Sequence, residues 1–178
     1  DSTTISSGNV VSWNWIFGNG NTSNIQNPTN TYTVNGTYLV RLIAVSDSGC
    51  SDTIIKQVSI YALPQATFSS TAQCFVDSVD FVDLSTVSGG TVVSWNWDFG
   101  DGNNSILQNP SHLYSTLGTY VVSLIVTSNF GCTDTITQTI TTHPAPNAAF
   151  SLSINTICVG VPIQFTSNSS ISSGSIIS

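Results

Sequence analysis

Basic side chains are almost missing from this chain: Arg41 and Lys56 stand alone against nine Asp and Glu, for a formal charge of −7. With so few cations, sequence-independent attraction to nucleic acid or to an anionic membrane surface has no electrostatic footing. Charged residues of either sign make up only 6%, far below the roughly one quarter of an ordinary soluble domain, so hydroxyls and amides must carry solubility. Methionine is absent, and no stretch approaches the roughly 20 apolar residues of a membrane helix. The start, Asp1-Ser2-Thr3-Thr4, has neither the basic end nor the apolar core of a signal peptide. Four cysteines occur without a C-x-x-C pair. That spacing gives no zinc or redox motif and fits an oxidising, extracellular compartment.

What is abundant is β-branched sequence punctuated by Gly, Asn and Pro, which predicts an all-β fold. The run Val92-Val93-Ser94-Trp95-Asn96-Trp97-Asp98-Phe99 alternates at period two and ends in Gly100-Asp101-Gly102. It predicts a half-buried antiparallel strand, with Val93, Trp95, Trp97 and Phe99 inward, entering a tight turn. A copy of this run, differing at two positions, occurs earlier, from Val10 to Gly20. A shift of 82 residues aligns Val10–Ser69 with Val92–Ser151 without a gap, and 31 of the 60 positions are identical. This is an internal duplication. A third copy begins at Asn147-Ala148-Ala149-Phe150-Ser151 and gains two residues before Cys158.

Together with Gln108-Asn109-Pro110, His112-Leu113-Tyr114 and Gly118-Thr119-Tyr120-Val121-Val122, the W-D-F-G-D-G run resembles the PKD domain, an immunoglobulin-like β-sandwich of cell-surface and secreted proteins. The resemblance implies tandem sandwiches acting mostly as spacers or adhesion modules. In sandwich order the complete copy should place A near residues 66–70, B near 78–84, C near 92–99 and a short edge segment at 105–108. E should then fall at 112–115, F at 119–128 and G at 134–142. The expected domains are 1–63, a first repeat lacking A and B; 64–144, a complete repeat; and 145–178, strands A and B of a third. The chain thus reads as a window from a longer array. Short Pro-bearing linkers, 62–65 and 143–146, join its parts. The expected structural core includes Trp15, Phe17 and Tyr38 in the first copy and Trp97, Phe99 and Tyr120 in the second.

Asp98 and Asp101 invite a calcium reading, since paired acids beside glycines can hold the ion. Their first-copy counterparts are Ile16 and Asn19, too few oxygens for the six to eight that Ca²⁺ prefers, so turn chemistry is the reading adopted. His112 and His143, opposite Asn30 and Tyr61 in the duplication, recur with no nucleophile and orienting acid. No catalytic residue, metal ligand or cofactor is therefore assigned, and the chain is read as non-enzymatic. Trp13 and Trp95 read as packing at the sandwich margin, with a sugar-stacking platform as the alternative.

N-x-S/T matches at Asn21, Asn35, Asn103 and Asn168 are common by chance in such a sequence. Asp52-Thr53-Ile54, Asp77-Ser78-Val79 and Asp134-Thr135-Ile136 resemble the acceptor of Bacteroidota O-glycosylation, which makes Thr53, Ser78 and Thr135 candidate acceptors. Thr is also simply a good strand residue. Cys74 precedes B while Cys132 opens G, at opposite ends of a sandwich. Cys50, Cys74, Cys132 and Cys158 are therefore expected to bond to neighbouring repeats outside the chain rather than to one another.

The G-C-x-D-T ending and the cysteine ahead of B resemble PKD arrays of very large Bacteroidota surface proteins, including gliding adhesins. That resemblance implies a stalk at the bacterial surface that holds an adhesive region away from the cell. Its expected partners are neighbouring PKD repeats and a cell-surface glycan or protein ligand, with no nucleic acid and no membrane insertion in this segment. The alternatives are a carbohydrate-binding accessory module of a secreted polysaccharide-degrading enzyme, which a strip of exposed aromatics would favour, and a subunit of a self-assembling extracellular filament.

Overall fold

The computed structural model describes residues 8–71, 74–75 and 77–174; Asp1-Ser2-Thr3-Thr4 lies outside them. No helix occurs among the described residues. The chain divides between Leu63 and Pro64 into two units.

The first unit is one antiparallel sheet of β1 (Val10–Ile16), β2 (Thr22–Ser23), β3 (Gly36–Ser46) and β4 (Ser51–Ile60), ordered β2-β1-β3-β4. Phe17, Leu42 and Ala44 are its buried apolar residues, and Trp13, Trp15 and Tyr38 are half-buried.

In the second unit, β5 (Phe68–Ser70), β6 (Val79–Asp83) and β9 (Ser111–His112) form one sheet in the order β5-β6-β9. The other is β11-β10-β7-β8, built from β7 (Val92–Asp98), β8 (Asn104–Ser105), β10 (Thr119–Ser128) and β11 (Thr133–Thr141). Their inner faces bury Phe68, Val79, Phe81, Trp97, Phe99, Tyr114, Val122, Leu124 and Val126 in one core, with Trp95 and Tyr120 packed at its margin. Phe68 meets the Trp97 ring edge-on at 5.0 Å and Phe81 lies 5.5 Å from it. β12 (Phe150–Leu152) and β13 (Phe165–Ser167) then pair as a hairpin. Phe150 and Phe165 sit 6.1 Å apart, as Phe68 and Phe81 do, but on an exposed surface.

The observed strands depart from simple alternation in two places. Val93 is 53% exposed, and Val92 packs against the core in its stead. The cause is a β-bulge: Thr127 faces Ser94 but Ser128 faces Val92, so Val93 is an extra residue that resets the alternation. Val10 and Val11 show the same shift against β3. The edge segment and strand E are also shorter than predicted, at Asn104–Ser105 and Ser111–His112.

Side chains compensate for the short strand E. Pro110 carbonyl accepts the Phe81 N–H at 2.9 Å and Asn109 Oδ1 accepts that of Asp83 at 2.8 Å. Trp97 Nε1 donates to Leu107 carbonyl at 2.9 Å. The Gln-Asn-Pro segment therefore acts as a surrogate strand beside β6, because an Asn side chain can offer the acceptor that an irregular backbone does not.

Candidate functional site

The turn after β7 is where the chain concentrates charge beside aromatic rings. Gly100 has φ +77°, and a Cβ there would stand 2.5 Å from Val121 carbonyl. Only glycine fits. The chain consequently doubles back tightly enough to bring Asp101 to His112: Nε2 and Oδ2 are 2.8 Å apart, with both side chains largely buried. The His112 ring stacks on Phe99 at 4.2 Å and meets Tyr114 edge-on at 4.7 Å. Tyr114 Oη donates to Phe99 carbonyl at 3.1 Å.

Each acid in this turn is occupied locally. Asp98 Oδ1 accepts the Gly100 N–H at 2.9 Å, and Asp101 Oδ1 accepts that of Asn103 at 3.0 Å. Partial burial pushes the Asp101 carboxyl up, but the His112 bond, the Asn103 backbone and amide bonds and the His112 charge together hold it below the ordinary value. Burial, then the neighbouring Asp101 charge, pushes the Tyr114 phenol well above its ordinary value. No group of three or more His, Cys, Asp and Glu among the described residues could hold a metal ion. The arrangement can pin a turn and stack rings; it presents no nucleophile activated by a base.

The remaining candidate residues fall in separate places. Trp97 is fully buried and Phe99 nearly so. Half-buried Tyr120 donates from Oη to Thr116 carbonyl four residues upstream at 2.7 Å, the corner that anchors the start of strand F in such sandwiches; Tyr38 does the same to Val34 at 2.8 Å. Half-buried Trp95 donates Nε1 to Asp83 Oδ2 at 2.7 Å, so its polar edge ties the two sheets together. Trp15 stacks on Phe17. Thr53, Ser78 and Thr135 are exposed.

None of the four cysteines is bonded to another within the chain. Cys132 and Cys50 are set by identical hairpin turns, in which Ser128 and Ser46 Oγ accept their N–H groups. Cys74 instead bridges in parallel to His143, where the chain leaves β11. His143 carbonyl accepts the Phe75 N–H at 2.8 Å there.

Sequence reasoning missed the Asp101–His112 pair. A signal was present, because the duplication changes both members together, to Asn19 and Asn30. In the first copy the Asp–His contact gives way to amide bonds: Asn21 Nδ2 donates to Asn30 Oδ1 at 2.8 Å and Asn19 Nδ2 to Thr31 carbonyl at 3.3 Å.

Two facing antiparallel sheets, a buried Trp on strand C and a tyrosine corner define an immunoglobulin-like β-sandwich. Residues 1–60 and 62–144 match the family model described as PKD domain, and the chain belongs to that family. It is 35% identical over 138 residues to the pre-pro-metalloprotease PrtV of Vibrio cholerae, covering 74% of this chain and 14% of that protein. A microbial collagenase of Vibrio alginolyticus is 48% identical over 56 residues, 32% of this chain and 7% of that protein. The chain thus spans only a small part of the curated relatives it matches. The solved PKD1 domain of Vibrio anguillarum Epp is 35% identical, aligning 48% of this chain with all of that one at a TM-score of 0.46.

Proposed function

We infer that the chain is a non-catalytic accessory segment of an extracellular protein, and that its role is mechanical: PKD sandwiches in series, forming a surface stalk that holds an adhesive region away from the cell. The observation that carries this reading is what the two copies share. Identity falls on Trp95, Trp97, Phe99, Gly100, Tyr114, Tyr120, Leu124, Ser128 and Cys132, which are core, turn and hairpin positions. Polar groups that could do chemistry, Asp98, Asp101 and His112, become Ile16, Asn19 and Asn30. Duplication kept the architecture while these three polar groups changed.

Within this reading the cysteines are cross-links between successive repeats. The cysteine beside the chain exit of one sandwich would meet the hairpin cysteine of the next, and Thr53, Ser78 and Thr135 would carry O-glycans. Incubating the chain with peptide and glycan substrates tests the non-catalytic part. No turnover is expected; turnover that Asp98→Asn abolishes would overturn it.

A further inference from the structure

The outer face of the β11-β10-β7-β8 sheet carries a groove of about 310 Å³, lined by Asn96, Asp98, Asn103, Asn104, Ser123 and Ile125. Strand register explains why these residues converge. Asp98 faces Asn104 on one side and Ser123 on the other, and Asn96 faces Ile125. Asn104, Asp98 and Ser123 therefore form a row across three neighbouring strands. At the usual strand spacing that row is about 10 Å wide, the length of a disaccharide.

The chemistry of the lining is specific. Among the described residues, the side chains of Asn96, Asn104 and Ser123 make no hydrogen bond, and Asp98 commits only Oδ1. Amide, hydroxyl and carboxylate groups with spare capacity, mounted on rigid strands, match alternating donors and acceptors on a ligand. The groove holds no basic residue, and Asp98 together with the net charge of −7 disfavours a polyanion. Ile125, 38% exposed, supplies one apolar contact for the C–H face of a ring. The volume sits at the small end of ligand sites.

We propose that this groove binds a neutral oligosaccharide, two sugar units spanning Asn104 to Ser123. The site differs from an aromatic platform, since Trp95 and Trp97 turn to the core. In the second unit the exposed aromatic side chains are Phe130, in a hairpin turn, and Phe150 and Phe165 of the last hairpin. The first copy keeps Asn14, Asn21 and Ile43 but carries Ile16, Thr22 and Arg41 in place of Asp98, Asn104 and Ser123. The proposal is independent of the stalk reading, because a spacer needs no ligand.

The test is heteronuclear NMR of the full chain titrated with cellotetraose, xylotetraose, mannotetraose and chitotetraose, and with tetragalacturonate as the anionic comparison. At least one neutral tetramer should shift the amides of Asn96, Asp98, Asn104 and Ser123 while leaving Asn14, Thr22 and Arg41 unmoved. Asn96→Ala and Asn104→Ala should each weaken that binding roughly threefold to tenfold, the worth of one net hydrogen bond, without changing the rest of the spectrum. Ser123→Arg, which copies the first repeat, should abolish it. Silence with all four neutral tetramers at millimolar concentration overturns the proposal. So do shifts confined to other residues, or tighter binding of tetragalacturonate.

Discussion

Cys74 and Cys132 stand at opposite ends of β11: Cys132 directly precedes the strand, and Cys74 bridges to His143 just beyond it. Nine residues of strand separate those points by about 30 Å, whereas a disulfide tolerates Cα atoms only about 4.4–6.8 Å apart. An internal bond is therefore geometrically closed to this pair. Alkylation of the purified chain under denaturing, non-reducing conditions should label four thiols per molecule by intact mass. Recovery of a Cys74–Cys132 linked peptide would contradict the fold.

The two tryptophans of β7 should differ in what they hold. Trp97 is fully buried against Phe68 and Phe81, so Trp97→Ala leaves a cavity worth about 3–5 kcal/mol. Trp95 lies at the core margin, and its removal costs part of that burial plus the bond to Asp83. Urea unfolding should rank Trp97→Ala well below Trp95→Ala, and the reverse ranking would contradict the packing described.

Two glycines of one turn separate steric from conformational cost. Gly100 and Gly102 both have positive φ, but a Cβ at Gly102 meets nothing within 4 Å while one at Gly100 meets Val121 carbonyl. Gly102→Ala should cost about 1–2 kcal/mol, the left-handed penalty alone. Gly100→Ala should cost distinctly more, measured by the same unfolding curves, because backbone must move.

Acid should weaken the turn through Asp101. Its carboxyl titrates lower in the fold than in the unfolded chain, so its contribution is complete above the unfolded value of about 3.9. That contribution is lost as pH falls through the lower folded value. Thermal unfolding midpoints should therefore fall more steeply in this acid window for the wild type than for Asp101→Asn. Parallel curves would show that the pair contributes nothing.

How much of this was legible depended on whether the signal was local. Period-two alternation placed β7, and the 82-residue duplication exposed the modular plan, because both are written in adjacent or repeated residues. The bulge at Val93 was not legible, since it is set by how β10 pairs across to β7. The roles of Asn109 and Pro110 likewise belong to the partner strand β6, whose backbone donors they accept. Asp101 and His112 meet only because Gly100 closes the turn, and the groove is completed only because Ser123, from a strand distant in sequence, faces Asp98 on the side opposite Asn104.

A mechanical role is tested most directly by pulling single molecules of the chain from their two ends. The sandwich of the second unit, matched to the PKD family over residues 62–144, should resist and then release in one cooperative step. That step should lengthen the molecule by roughly 240 Å, from the residue count at about 3.4 Å each less the folded length. Trp97→Ala should lower the force of that step. Smooth extension with no discrete step, or a step force indifferent to the loss of Trp97, would contradict the account.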